Sequence, residues 1–273
     1  MLLRIGHIRY ANCTPIFNAL VEMFPEYGPC LVDGVPAELN RMLLGGAVDL
    51  CPSSSICYAQ SPDKLIILPE LSISSIGAVQ SVLLFSRKRI EDLDGNEVLL
   101  SAESATSVNL LKILLKQKYQ CECSYRITVS GASALTDGTQ ALLLIGDAAL
   151  RASFAPGEFN AYDLGELWFN WTGLPFVFAL WLASRQICAR EQKMMRLLAE
   201  RFVVAKERAL AGLEQIAELA DEASWMGRER LLSYWKVLSY DLTARHMEGL
   251  RLFYHCAAEQ GLIEKEPTLE LFV

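Results

Sequence analysis

Apolar and polar positions follow two regimes along this chain. Up to about Arg185, short apolar runs alternate with amphipathic stretches; beyond it, only helical spacing remains. LLRIGHIRY reads as a strand with Leu3, Ile5 and Ile8 as its apolar members. Thr14-Pro15 then opens a helix, since Thr is a good N-cap and Pro suits the first helical position. Ile16, Leu20, Met23 and Phe24 share its apolar face, and Pro25 begins the exit. A short strand over Cys30–Val32 leads to a second helix that starts at Val35-Pro36 and ends at Gly45-Gly46. AVDLCP is the next buried strand, with Ser53-Ser54-Ser55 and a short helix through Tyr58 after it. This β-loop-α repetition predicts a parallel or mixed α/β sheet.

The alternation continues. KLIILPELSISS and AVQSVLLFS are strand-like with a break at Gly77, NEVLLSAES is a strand ending in a loop, and Thr106 or Ser107 caps a helix carrying Val108, Leu111, Leu114 and Leu115. SYRITV, ALLLIGDAAL and PFVFALWLAS supply further strands, the second running into a turn and helix. After Arg185 helices are predicted near 189–210, 213–222, 228–239 and 243–260, with breaks at Gly212, Gly227 and Gly261. The apolar strands Val82–Ser86 and Phe176–Ala183 bracket the central segment, which is how hinged two-lobe binding proteins are wired. The expected architecture is therefore α/β, with two lobes, mixed sheets, hinge strands and a C-terminal helical segment. Lobe 1 comprises residues 1–84 and 184–273, lobe 2 residues 85–183, and a ligand sits in the cleft between them.

Composition narrows the function. The chain has 273 residues, 52% of them hydrophobic and 21% charged, enough for a large core and too apolar for wholesale disorder. With Lys+Arg 25 against Asp+Glu 32 the net charge is −7, which argues against general nucleic-acid binding. The longest apolar stretch, Leu174–Ala183, falls well short of the roughly 20 residues needed to cross a bilayer, so no membrane span is expected. Arg4, His7 and Arg9 interrupt the segment where an export signal needs an unbroken apolar run, and a cytoplasmic location is expected. The 8 cysteines form no C-x-x-C pair and only 3 histidines are present, so zinc spacing is lacking and the thiols are expected to be buried and reduced.

In α/β sheets, ligands gather in the loops between strand ends and helix starts. Four such loops are rich in small polar groups: Asn12-Cys13-Thr14, Ser53-Ser54-Ser55, Ser104-Ala105-Thr106-Ser107 and Gly146-Asp147. Hydroxyls and free N–H groups at helix starts bind carboxylate or phosphate, although each of Thr14, Ser54 and Thr106 is equally readable as an ordinary cap. Arg9 and Arg41 could neutralise an anion, or simply be solvated. Asp49 and Asp147 read first as turn formers, and His7 as structural. No nucleophile elbow, zinc-protease motif or P-loop is present, so nothing announces a metal or a nucleotide cofactor. The five tryptophans read as core rather than cleft.

The segments GHIRYANCTPIF, VPAELNRMLLGGAVDLCPSSSICYA, LSISSIGAVQSVLLFS, SAESATSVNLLKILL, LLLIGDAAL and YDLGELWFNWTGLPFVFALW occur in this order. Together they closely resemble the chorismate dehydratase family of the futalosine route to menaquinone, from about residue 4 to about 185; the helical tail matches only in character. The resemblance implies a periplasmic-binding-protein-like type 2 fold. It also implies a lyase reaction, loss of water from chorismate to give 3-[(1-carboxyvinyl)oxy]benzoate. Aromatisation drives that reaction, so no cofactor is expected, and the substrate's own enolpyruvyl carboxylate is implied as the proton acceptor. By the same resemblance Asn12 meets the reacting part of the substrate and Ser81 orients it. Ser54, Ser55, Ser104, Thr106 and Ser107 become candidate carboxylate binders, with Arg9, Gly146 and Asp147 as further candidates. The expected partner is chorismate, a dianion, with no nucleic acid and no membrane; the tail either packs on the first lobe or forms a homodimer interface. Three alternatives remain open: the naphthoate synthase of the same pathway, a non-catalytic cytoplasmic small-anion-binding protein, and a ligand-sensing regulator of transcription. The last needs a DNA-reading helix pair that the sequence does not offer.

Overall fold

A computed structural model describes residues 3–128, 131–134, 138–154, 157 and 159–273. Leu2 and Val129, which the apolar pattern assigns to strands, lie outside the described residues. The strands are β1 (Ile5–His7), β2 (Leu31–Asp33), β3 (Leu50–Ser54), β4 (Leu65–Ser75), β5 (Val82–Ser86), β6 (Glu97–Ser101), β7 (Ser124–Thr128), β8 (Ala141–Ile145), β9 (Asn160–Asp163), β10 (Phe176–Ser184) and β11 (Leu238–Ser239). They form a six-stranded sheet ordered β11-β4-β10-β3-β1-β2 and a five-stranded sheet ordered β7-β6-β8-β5-β9. Both are mixed. In the first, β1 runs parallel to β2 and β3, and β10 runs antiparallel to β3 and β4. In the second, β6 runs parallel to β7 and β8, and β5 antiparallel to β8 and β9.

Sheet membership moves the expected division of the chain. Boundaries at 84/85 and 183/184 would cut β5 and assign β10 to the second unit. In fact β5 pairs within the second sheet and β10 lies between β3 and β4 in the first. The chain therefore crosses between sheets at 76–81 and again at 173–175, in the loops before β5 and β10 rather than within those strands. One buried apolar cluster is continuous through both sheets, from Ile5 and Trp181 to Val98 and Leu143. A smaller one, around Leu83, Phe85, Leu99 and Leu142, covers the other face of the second sheet.

The helices are α1 (Thr14–Met23), α2 (Pro36–Leu44), α3 (Ser55–Gln60), α4 (Ala105–Ile113), α5 (Gly146–Phe154), α6 (Leu164–Thr172), α7 (Arg185–Arg190), α8 (Gln192–Ala211), α9 (Leu213–Leu219), α10 (Ala223–Met226), α11 (Arg228–Val237) and α12 (Ala244–Glu259). The helical tail packs on the first sheet and its helices, α8 against α1 and α12 against β10. Gly212 ends α8, and Gly227 and Gly261 take positive φ of 80° and 67° at the predicted breaks. Two predicted caps shift by a residue or more. Cys13 rather than Thr14 is the N-cap of α1, and Thr14, already inside the first turn, donates its hydroxyl to Glu222 at 2.5 Å. Ser104 caps α4, accepting from the Ser107 N–H, while the Thr106 hydroxyl is drawn to the first sheet. Trp168, Trp181 and Trp235 are fully buried, but Trp171 is exposed and Trp225 is half-buried beneath the Arg151 guanidinium, 3.8 Å from its ring centre. All 8 cysteines are free, and only Cys123 is not fully buried. Among the described residues no helix is long and apolar enough to cross a membrane.

Candidate functional site

A cavity of about 70 Å³, open on one side, lies between the two sheets. Four loops identified from the sequence open onto it: Asn12 and Cys13 before α1, Ser53 and Ser54 before α3, Ser104 and Ser107 at the start of α4, and Gly146 at the start of α5. Ser81 joins them from the end of the first crossing segment. Ile8, Ile73, Val79, Ile145 and Phe178 complete an apolar wall. Asn12 and Ser81 thus face one shared space, although they belong to different segments of the fold.

Each polar group is held by a particular partner. The Asn12 carbonyl accepts from the Tyr240 hydroxyl at 2.8 Å, whereas its side-chain Oδ1 is buried and has no hydrogen-bond partner. The preceding Ala11 accepts at its carbonyl from Trp235 Nε1 (2.7 Å), and its N–H donates to Asp147 (3.2 Å). Ser81 is 2% exposed; its carbonyl accepts from the Gly146 N–H at 2.7 Å and its hydroxyl from Tyr234 at 3.0 Å. Gly146 has φ +60°, and a Cβ there would lie 3.1 Å from the Tyr10 ring, so the close approach of the two sheets at this point requires glycine. The segment leading to Ser81 hangs on Asp163, whose carboxylate accepts from the N–H groups of Val79, Gln80, Gly165 and Glu166. Gln80 there takes a φ of 62°. Burial pushes the Asp163 carboxyl above its ordinary range, and the four N–H groups pull the other way.

Some expected contributors stand elsewhere. Thr106 and Ser55 are fully buried and do not line the cavity. Thr106 Oγ1 contacts Ser54 Oγ at 2.5 Å and accepts from the Ile56 N–H at 3.0 Å, and Ser55 donates to the Val177 carbonyl at 2.8 Å. The Thr106 hydroxyl thus ties α4 to the end of β3, and the hydroxyls of Ser54, Ser55 and Thr106 are occupied by protein. Arg9 is ion-paired with Asp33 on the neighbouring strand, has a side chain 74% exposed, and lines a separate open depression together with Asp147. Asp147 secures the Ala11–Asn12 loop instead of facing the cavity, and burial raises its pKa. Arg41 is exposed and also lies outside. No Lys, Arg or His is among the described residues lining the cavity, and its one acidic group is Glu103. Burial raises the Glu103 carboxyl above the usual carboxylate range, opposed by the neighbouring Tyr10 hydroxyl. Tyr10, Glu103, Asp163 and the tail residues Tyr234, Trp235 and Tyr240 were not distinguishable from ordinary polar or core positions in the sequence. Only the SAES loop hints at Glu103, by placing a carboxylate beside the cavity residue Ser104.

Two mixed sheets, crossed twice by the chain and with a cavity between them, define the periplasmic-binding-protein class of folds. The periplasmic aliphatic sulphonate binding protein of Escherichia coli superposes with a TM-score of 0.68 at 16% identity, covering 97% of this chain and 89% of that one. The chain belongs to the menaquinone biosynthesis family, whose model matches residues 3–259. A chorismate dehydratase of Thermus thermophilus is 35% identical, with 91% of this chain and 93% of that protein covered. A 1,4-dihydroxy-6-naphtoate synthase of the same organism is 28% identical over 99% of both chains.

Proposed function

We propose that this protein is a chorismate dehydratase, a cofactor-independent lyase acting in the cytoplasm. The observation that carries the reading is the shared cavity, where Asn12, with an unpartnered buried Oδ1, and Ser81 meet from separate segments. The family and the 35% identical relative support the same substrate. Chorismate carries two carboxylates, an enol ether and a ring hydroxyl on a cyclohexadiene. The ring proton beside the ether oxygen leaves to a base, the neighbouring hydroxyl departs as water with a proton, and the ring becomes aromatic. With the enolpyruvyl carboxylate as base, the protein need not supply one. Its task is to bind, orient and exclude water. Asn12 meets the reacting part, Ser81 orients the substrate, and Ser53, Ser104 and Ser107 offer hydroxyls to its carboxylates. The eight free thiols fit a reducing compartment.

Incubation of the purified protein with chorismate is the direct test. The expected product is lighter by one water and has the absorbance of a substituted benzoate. Unchanged chorismate would favour naphthoate synthase chemistry, and tight binding without turnover would favour a small-anion-binding protein.

Glu103 supplies a second check. A dianion entering a cavity without cations is repelled by an ionised Glu103 and tolerated by a protonated one. Affinity should therefore fall as pH rises through the raised Glu103 pKa. Glu103→Gln should lower KM about three- to tenfold at neutral pH and flatten that dependence, given the size of charge–charge terms near a partly solvated site. An unaltered KM–pH profile in the variant would remove Glu103 from substrate recognition.

A further inference from the structure

We infer that Tyr234, from the C-terminal helical segment, is a positioning residue that turns the Ser81 hydroxyl into a directed hydrogen-bond donor toward the substrate. The inference rests on the chorismate dehydratase reading. It gives the helical tail, whose contribution the sequence leaves undefined, a part in the site itself.

The argument is an inventory of protons. A serine hydroxyl has one proton to give and lone pairs to receive. Tyr234, 1% exposed, donates to Ser81 Oγ at 3.0 Å, so the lone-pair side of the serine is engaged. The proton's protein alternative is the Val79 carbonyl at 3.5 Å, the outer limit of a hydrogen bond. Ser81 also lines the cavity, so a substrate oxygen at normal distance would be the better acceptor. Donation from the phenol polarises the serine O–H and strengthens it as a donor, an effect that low local dielectric enhances. Burial holds the Tyr234 phenol well above its ordinary pKa, with the Asp147 and Asp163 carboxylates and Cys13 acting in the same direction, so Tyr234 remains a donor.

The neighbouring contacts show the same design. Tyr234, Trp235 and Tyr240 lie within one short stretch of the tail, and each donates to a different point of the site: Ser81 Oγ, the Ala11 carbonyl and the Asn12 carbonyl. Trp235 and Tyr240 hold backbone. Tyr234 alone of the three reaches a side chain that faces the cavity, and so it can set that side chain's hydrogen-bonding direction.

The test is a double-mutant cycle on the whole chain with chorismate, using Tyr234→Phe, Ser81→Ala and the double variant. Tyr234→Phe keeps the ring and its packing, and it should lower kcat/KM about five- to tenfold, the scale of one hydrogen bond. In the Ser81→Ala background the same change should cost no more than about twofold, because the residue through which Tyr234 acts is gone. Replacing Tyr234 by a fluorinated tyrosine preserves ring and donor and should retain at least wild-type kcat/KM, which keeps the inference testable should Tyr234→Phe fold poorly. Wild-type kcat/KM in Tyr234→Phe would overturn the inference. So would an equal loss in both backgrounds, or a loss in the fluorinated protein matching that of Tyr234→Phe, since either marks packing alone. A wild-type protein that leaves chorismate unchanged overturns the substrate reading and this inference together, whereas an active wild type with an unaffected Tyr234→Phe overturns only the latter.

Discussion

Asn12→Ala is expected to lower kcat for chorismate about 10²–10³-fold while the fold survives, the loss typical of removing one aimed hydrogen-bonding group at a reacting centre. The structure explains why stability and activity should separate here. The Asn12 side chain makes no hydrogen bond through Oδ1, and the loop is secured through its backbone: Tyr240 to the Asn12 carbonyl, Trp235 to the Ala11 carbonyl, and the Ala11 N–H to Asp147. Truncation therefore deletes no protein contact at Oδ1. Because the lost interaction strengthens in the transition state, KM should change little relative to kcat. Melting temperature and steady-state kinetics together test this. Turnover near wild type would remove Asn12 from the mechanism, and a collapse in melting temperature would show that the residue is structural.

The lines along which this site was legible in the sequence follow the range of the interactions. Local signals carried the strand–loop–helix rhythm, the glycine breaks of the tail, and the four small-polar loops, because caps, turns and apolar periodicity are decided within a few residues. The resemblance singled out Asn12 from those loops and added Ser81, and the fold brings both to one cavity. Partnerships between distant residues were not legible. Thr106 reads as an anion binder beside a helix start, but its hydroxyl is consumed by Ser54 and Ile56, 52 and 50 residues away in sequence. Arg9 looked like a free cation, but parallel pairing of β1 with β2 brings Asp33 next to it and both face outward. The α6 helix went unread because its entry strand, NAYD, is polar and partly exposed, with a single neighbour in β5. The tail's donors are ordinary aromatic residues whose role appears only once α11 is packed over the crossing segment.

Asp163→Ala is expected to destabilise the protein by about 3–5 kcal/mol, because four backbone N–H groups lose a charged acceptor at once. Two of them, from Gly165 and Glu166, are the first donors of α6, for which Asp163 is the N-cap. The other two, from Val79 and Gln80, belong to the crossing segment that delivers Ser81 to the cavity. One carboxylate thus joins a helix start to the site, and Gly165 permits this closeness, since a Cβ there would lie 2.6 Å from Ser75 Oγ and 2.7 Å from the Gly77 carbonyl. Asp163→Asn should cost less than alanine yet remain clearly destabilising, because its amide keeps one acceptor but turns a donor toward N–H groups. Denaturant unfolding followed by circular dichroism measures both losses, and kinetics on the surviving folded protein reads the second consequence, reduced turnover as the 79–81 segment loosens. A loss below about 1 kcal/mol in Asp163→Ala would mean that water satisfies the four N–H groups. The left-handed turn at Gln80 would then be held by the pairing of β5 in the second sheet, and Ser81 would owe its position to that pairing and to the Gly146 N–H on its carbonyl.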